Sequence, residues 1–258
     1  MEQRFTFDQD ARAYDAARPG YPDALVDDVI FFSGLGPNDA ILEVGCGSGQ
    51  ATKSFAARGF RMLAIDPGQD LIGAARESLA TFPGVEFVVS TFEAWPATPA
   101  AFRLLIAAQS WHWVAAEVQF TKAAEVLIAE GTLAVFGHVP VGLSPQLLEV
   151  FKRIYLHHAG VWGPPPEAWY LPAGPLKSAF ERSGLFGLVV NKAYPWTWHH
   201  TTASYVSFLK TRSDLQTFAP AVRQAILADI AKAVDAYGGA FDMNYETYLY
   251  IARRRATG

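Results

Sequence analysis

Gly45, Gly47 and Gly49 alternate through the stretch ILEVGCGSGQ (residues 41–50), and Asp66 closes the next apolar run, RMLAI. Glycine reaches positive φ and carries no side chain, so a turn built from it bends sharply and lets a ligand lie against its N–H groups. A carboxylate across such a turn accepts both hydroxyls of a ribose. Together these residues can hold a nucleoside. A second cluster, Ser110-Trp111-His112-Trp113, offers an indole N–H and an imidazole. The ordinary imidazole pKa of about 6.5 suits proton transfer near neutrality. The glycine turn alone is also a near relative of the G-x-G-x-x-G of dinucleotide-binding folds, although its third glycine comes one position early. A nicotinamide-dependent oxidoreductase is therefore the alternative.

The elements that must position these groups are readable on either side of them. Ile41 to Val44 reads as a strand, Ala51 to Arg58 as a helix, and Arg61 to Ile65 as a second strand with Asp66 at its carboxyl end. A helix over Asp70–Leu79 and a third strand over Val85–Ser90 follow. The fourth strand, Phe102–Gln109, runs directly into the Trp-His-Trp cluster. Helix Glu117–Leu127, stopped by Glu130-Gly131, precedes a fifth strand over Thr132–His138. Strands alternating with helices predict an α/β fold, a doubly wound and mostly parallel sheet with ligands across its carboxyl ends.

Beyond residue 140 the alternation breaks. Ser144–His158 reads as helix, Gly160–Pro175 as a proline-rich loop, Leu176–Arg182 as helix and Phe186–Trp198 as a sixth strand. Helices over Thr202–Thr211 and Ala221–Tyr237 follow, the second with Val222, Ile226, Ile230, Val234 and Tyr237 on one stripe. Tyr245–Arg253 is the last strand. The chain reads as a single domain with a core over 34–139, 174–198 and 245–255, and a helical cap from 1–30, 140–173 and 199–244.

The motif EVGCGSG followed by Asp66-Pro67 resembles the class I S-adenosylmethionine-dependent methyltransferases, small-molecule branch. The run AAQSWHWV at 107–114 is similar to one found in relatives of trans-aconitate methyltransferase. That resemblance implies a Rossmann-like methyltransferase sheet of seven strands, the last antiparallel, with S-adenosyl-L-methionine as cofactor. It implies cofactor contacts from Glu43, Gly45, Gly47, Gly49, Asp66 and Pro67, with Thr91, Phe92 and Glu93 beside the adenine and Gln109 at the end of the fourth strand. The segment from Tyr14 to Pro22 (YDAARPGYP) is similar to a lid in bacterial members, making Tyr14 and Arg18 candidate contacts for the cofactor carboxylate. His112 and Trp111 are the catalytic candidates, as a base towards a hydroxyl or as donors holding a carboxylate. A cofactor-binding protein without catalysis is a further alternative.

Composition narrows the partners. The chain has 258 residues, 51% hydrophobic and 18% charged, enough apolar surface for a substantial core. A net charge of −4 argues against a nucleic-acid partner, and a small-molecule substrate is expected instead. One cysteine, Cys46, excludes an internal disulfide and fits a reducing compartment. No apolar run approaches the roughly 20 residues of a membrane helix, so a cytoplasmic protein is expected. The pairs His157-His158 and His199-His200 lack the spacing and carboxylates of a zinc site, and no metal is expected.

Overall fold

Alternate residues of a strand buried on both faces enter opposite layers, and the central strands of this chain do so. Ile41 belongs to the core on one side of the sheet and Leu42 to the other; Leu104 and Ile106 face the first side, Leu105 and Ala107 the second. The computed structural model describes residues 18–163 and 166–256, so Tyr14 and the helix expected around it lie outside the described residues.

In chain order the elements begin with α1 (Asp23–Ser33), β1 (Ala40–Val44), α2 (Gln50–Ala56), β2 (Arg61–Asp66), α3 (Gln69–Ser78), β3 (Val85–Val89) and β4 (Phe102–Ala108). A 3₁₀ turn over Trp111–Trp113 leads to α4 (Ala116–Val126), β5 (Leu127–Gly142) and α5 (Pro145–Ala159). A second 3₁₀ turn, Pro166–Tyr170, precedes α6 (Leu176–Ser183), β6 (Val190–Thr201), α7 (Thr202–Lys210), α8 (Ser213–Gln216), α9 (Pro220–Tyr237) and β7 (Ala240–Arg253).

These strands form the expected seven-stranded sheet, in the order β3-β2-β1-β4-β5-β7-β6. The pairings among β1 to β5 are parallel, whereas β7 runs antiparallel between β5 and β6. Strand order reverses between β1 and β4, the place where open α/β sheets leave a crevice above their carboxyl ends. One layer packs Leu25, Val26 and Val29 of α1 and Phe55 of α2 on the sheet; the other packs Phe120 of α4 and Phe180 of α6. α1 packs in this layer against β5 and β7.

The helices expected to form the cap share a separate apolar cluster, made by Leu147 and Phe151 of α5, Tyr205 and Phe208 of α7, and Ile226, Ile230 and Val234 of α9. Phe241, Met243 and Tyr245 join it from β7, which starts at Ala240 instead of Tyr245. Alternating burial along FDMNY explains the extension: the polar Asp242 and Asn244 point outward between apolar neighbours. Tyr237, expected on the buried stripe of α9, is exposed at its carboxyl end. Glu130-Gly131 does not separate a helix from a strand either. β5 already begins at Leu127, and its register against β4 shifts between Phe102 and Leu104, with Glu130 at φ 58°.

Candidate active site

The glycine turn leaves β1 and is tied to β2 by its own backbone. Gly45 and Cys46 both donate N–H to the Ile65 carbonyl, at 2.8 and 3.1 Å, so the turn stands against the end of the neighbouring strand. Gly45, Gly47 and Gly49 all have positive φ. Asp66 clasps the same turn: Oδ2 accepts from the Gly47 N–H at 2.9 Å and Oδ1 from the Gly68 N–H at 2.8 Å. Asp66 thus ties the glycine turn to the loop that follows β2. Two of the glycines also answer to packing. A Cβ on Gly45 would lie 2.4 Å from Ser110 Cβ, and one on Gly49 would lie 2.7 Å from Leu79 Cδ1.

A cavity of about 120 Å³ opens over this turn at the carboxyl ends of β1, β2, β3 and β4. It is lined by expected residues from each loop: Arg18, Glu43, Gly45, Gly47, Asp66, Pro67, Thr91, Phe92, Glu93 and Gln109. Gly49 lies behind this wall as the first cap of α2. Gln109 takes φ 56°, an unusual conformation for a side-chain-bearing residue, and its N–H donates to Phe136 O at 2.8 Å. Phe92 is only 3% exposed, its ring packed towards Trp111 and under Lys122, so it offers a ligand little of its face.

The electrostatics are set mainly by burial. Glu43 accepts from Thr52 Oγ1 at 2.7 Å, and among the described residues its Oε1 has no hydrogen-bond partner. Desolvation raises its pKa to about 8 against the Thr52 bond, with nearby Asp66 adding to the rise. Burial likewise pushes the Cys46 thiol well up, with Asp66 and Glu43 adding to the rise, which disfavours its reactive thiolate form. Arg18 reaches from the cavity to the cap, donating Nε to Thr211 Oγ1 at 3.0 Å and Nη2 to the Thr211 carbonyl at 2.9 Å.

The Trp-His-Trp turn is arranged differently from the expectation. Trp111 is 0% exposed and packs between Phe92 and Phe120 in the core, and its Nε1 has no partner among the described residues. His112 lies behind the cavity wall, with Nδ1 3.2 Å from the Tyr170 hydroxyl, and burial lowers its pKa to about 4. The residue of this turn that lines the cavity is Trp113. A tight 3₁₀ turn sends successive side chains to different sides, and residue type alone does not tell which side faces the ligand. Tyr21 and Gln50 also line the cavity and were not anticipated, whereas Ser90 and Ser110 belong to the stretches singled out around Thr91 and Trp111. Tyr21 sits within the Arg18-to-Pro22 stretch, so that motif carried its signal.

Among the described residues no cluster of three or more His, Cys, Asp or Glu side chains that could hold a metal ion occurs. His158 pairs with Asp229 and His199 with Asp242, while His200 is buried among Trp198, Tyr205 and Phe208. No helix among the described residues is long and apolar enough to cross a membrane.

Residues 41–131 match the family model described as methyltransferase domain. An uncharacterized methyltransferase of Mycobacterium bovis is 28% identical over 134 residues, covering 51% of this chain and 51% of that protein. The chain thus spans about half the length of the curated relatives it matches first. A Dictyostelium discoideum protein provisionally named a methyltransferase is 22% identical over 252 residues, covering 95% of this chain and 93% of that protein. Among solved structures, one provisionally described as a type II methyltransferase from Anaeromyxobacter dehalogenans aligns with a TM-score of 0.64 at 24% identity, covering 93% of this chain and 99% of that one. A Haemonchus contortus phosphoethanolamine N-methyltransferase, solved with S-adenosyl-L-methionine, aligns with a TM-score of 0.56 at 13% identity, covering 96% and 57%. The fold is the Rossmann-like methyltransferase fold.

Proposed function

We propose that this chain is an S-adenosylmethionine-dependent methyltransferase that methylates a small molecule at oxygen, a carboxylate or a hydroxyl. The observation that carries this reading is the cavity at the β1–β4 switch point, floored by a glycine turn that Asp66 clasps. The side chains around it suit the cofactor. The buried Oε1 of Glu43 has no partner among the described residues, and Asp66, at the carboxyl end of β2 beside the turn, is the candidate acceptor for the ribose hydroxyls. Arg18 is the candidate for the amino-acid carboxylate, joined by Tyr14, which lies outside the described residues. Thr91, Phe92 and Glu93 border the adenine side; Gln109 and Trp113 border the end of β4.

When bound, S-adenosylmethionine supplies an electrophilic methyl group. The chain's own contribution is to align the acceptor and exclude water, from which much of the acceleration of such a displacement comes. His112, neutral and packed on Tyr170, is assigned to holding the Trp113 loop, and Trp111 to anchoring that loop in the core. The net charge of −4 supports a small acceptor over nucleic acid, in a cytoplasmic protein whose single domain joins a sheet core to a cap.

Calorimetry with S-adenosylhomocysteine and with NAD⁺ tests the reading. We expect binding of the first and none of the second. Asp66→Ala should weaken S-adenosylhomocysteine by about 1.5–3 kcal/mol, the scale of hydrogen bonds to a charged group. Tight NAD⁺ binding without any response to S-adenosylhomocysteine would move the chain to the oxidoreductases. Transfer of labelled methyl into a metabolite pool separates an enzyme from a protein that only binds the cofactor.

A further inference from the structure

A larger cavity, about 590 Å³, opens inside the cap and shares no lining residue with the first. Its size is that of a small-molecule site. Its walls carry Tyr155, Trp162, Tyr205, Phe208 and Tyr245, aromatic faces from α5, the loop after it, α7 and the first half of β7. Phe208 stands between the two cavities. It lines the cap cavity, while its ring carries the Arg18 guanidinium at 5.1 Å, and Arg18 lines the cavity over the glycine turn.

The charges in the cap cavity decide what fits there. Among the described lining residues the only cation is Arg212. Its Nη1 and Nη2 donate to Glu167 at 3.0 and 3.3 Å, and its Nε and Nη2 to Asp214 at 3.0 and 2.9 Å. One guanidinium with two carboxylates leaves the group at net −1. The other cation whose charge reaches this wall, Arg18, acts on Tyr245 without lining the cavity and is assigned above to the cofactor carboxylate. A carboxylate entering here therefore meets no uncommitted cation and is repelled by Asp214, whereas an uncharged ring loses nothing.

On the methyl-transfer reading above, we infer that the cap cavity receives the methyl acceptor and that this acceptor is an uncharged, flat hydroxyl compound, not a carboxylic acid. The hydroxyl oxygen bonds to the methyl carbon as the carbon–sulfur bond breaks, with its electron pair staying on sulfur. The hydroxyl proton passes to bulk water at the rim formed by Val161 and Trp162, which are 51% and 42% exposed.

Calorimetry on the protein saturated with S-adenosylhomocysteine, using 2-naphthol and 2-naphthoate as matched probes, tests this. We expect 2-naphthol to bind about tenfold or more tightly than 2-naphthoate, the effect of roughly 1.4 kcal/mol of charge repulsion. Trp162→Ala should weaken 2-naphthol and leave S-adenosylhomocysteine unchanged. Asp214→Asn, which takes one negative charge from the Arg212 group, should strengthen 2-naphthoate and leave 2-naphthol where it was. Equal or tighter binding of 2-naphthoate to the unaltered protein overturns the inference. So does failure of both probes in a protein that still binds S-adenosylhomocysteine. If S-adenosylhomocysteine itself does not bind, the methyl-transfer reading fails first and takes the acceptor assignment with it.

Discussion

Gly45 is held by two independent demands, and they can be separated experimentally. Its φ of 71° penalises any side chain, and a Cβ there would lie 2.4 Å from Ser110 Cβ, whose own hydroxyl donates to the Val44 carbonyl. Left-handed backbone costs a non-glycine residue about 1–2 kcal/mol, and overpacking adds about 1–3 kcal/mol. Gly45→Ala should therefore lower unfolding stability by the sum of both. Adding Ser110→Gly should recover the steric part and leave the backbone part. Urea denaturation of the single and double variants reads this directly, and a double variant no better than the single would show that the contact with Ser110 is not tight. The sequence disclosed these glycines and Asp66 because the type of each is dictated by backbone geometry or charge. It did not disclose the roles of Trp111 and His112, whose types suit a wall, a core and a site equally.

At the scale of elements, the second 3₁₀ turn is held to the sheet by a missing side chain. Gly137 of β5 faces the Tyr170 ring, and a Cβ there would come within 2.9 Å of two ring carbons. Tyr250 fastens the same turn by donating its hydroxyl to the Tyr170 and Leu171 carbonyls, each at 3.0 Å. Tyr170 in turn backs His112 and hence the loop that ends in Trp113. Gly137→Ala should cost about 1–3 kcal/mol in stability, the usual range for overpacking a well-filled site. It should also weaken S-adenosylhomocysteine measurably by calorimetry, although residue 137 does not line the cavity. Unchanged affinity with reduced stability would confine the turn to a purely structural role. Such long-range contacts leave no local pattern, which is why Gly160–Pro175 read only as a proline-rich loop. Helix and strand periods, by contrast, were visible over most elements with one buried face, the start of β7 at 240–244 excepted. They failed at 127–131, where a bulged strand follows α4 without an intervening turn.

Across the whole molecule, the core was more legible than the cap. The core's alternation of strand and helix has one parallel solution, whereas the cap joins α5, α7 and α9 to the ends of β6 and β7, segments distant in sequence. Folding this chain also buries titratable groups whose effects oppose one another, and that gives stability a predictable pH optimum. Burial lowers His112 and His200 to about 4 and His138 to about 3, with Arg18 adding to the effect on His138 and His199 to that on His200. Below their ordinary pKa of 6.5 the unfolded chain takes up protons that the folded one refuses, so these histidines cost stability as pH falls from 6.5 towards 4. Glu43 has the opposite sign. Between its ordinary 4.5 and about 8, the folded chain keeps a proton that the unfolded one has released, so stability falls as pH rises through that window. The histidines outweigh Glu43 below 6.5, and Glu43 acts against stability alone above it. We therefore expect the melting temperature of the unliganded protein to peak near pH 6.5, falling on both sides. Glu43→Gln, which keeps an acceptor for Thr52, should flatten the alkaline limb up to pH 8 and move the peak upward. Melting curves taken from pH 4.5 to 9 check this, and an alkaline limb unchanged in the variant would mean that Glu43 is ionised in the folded protein at neutral pH.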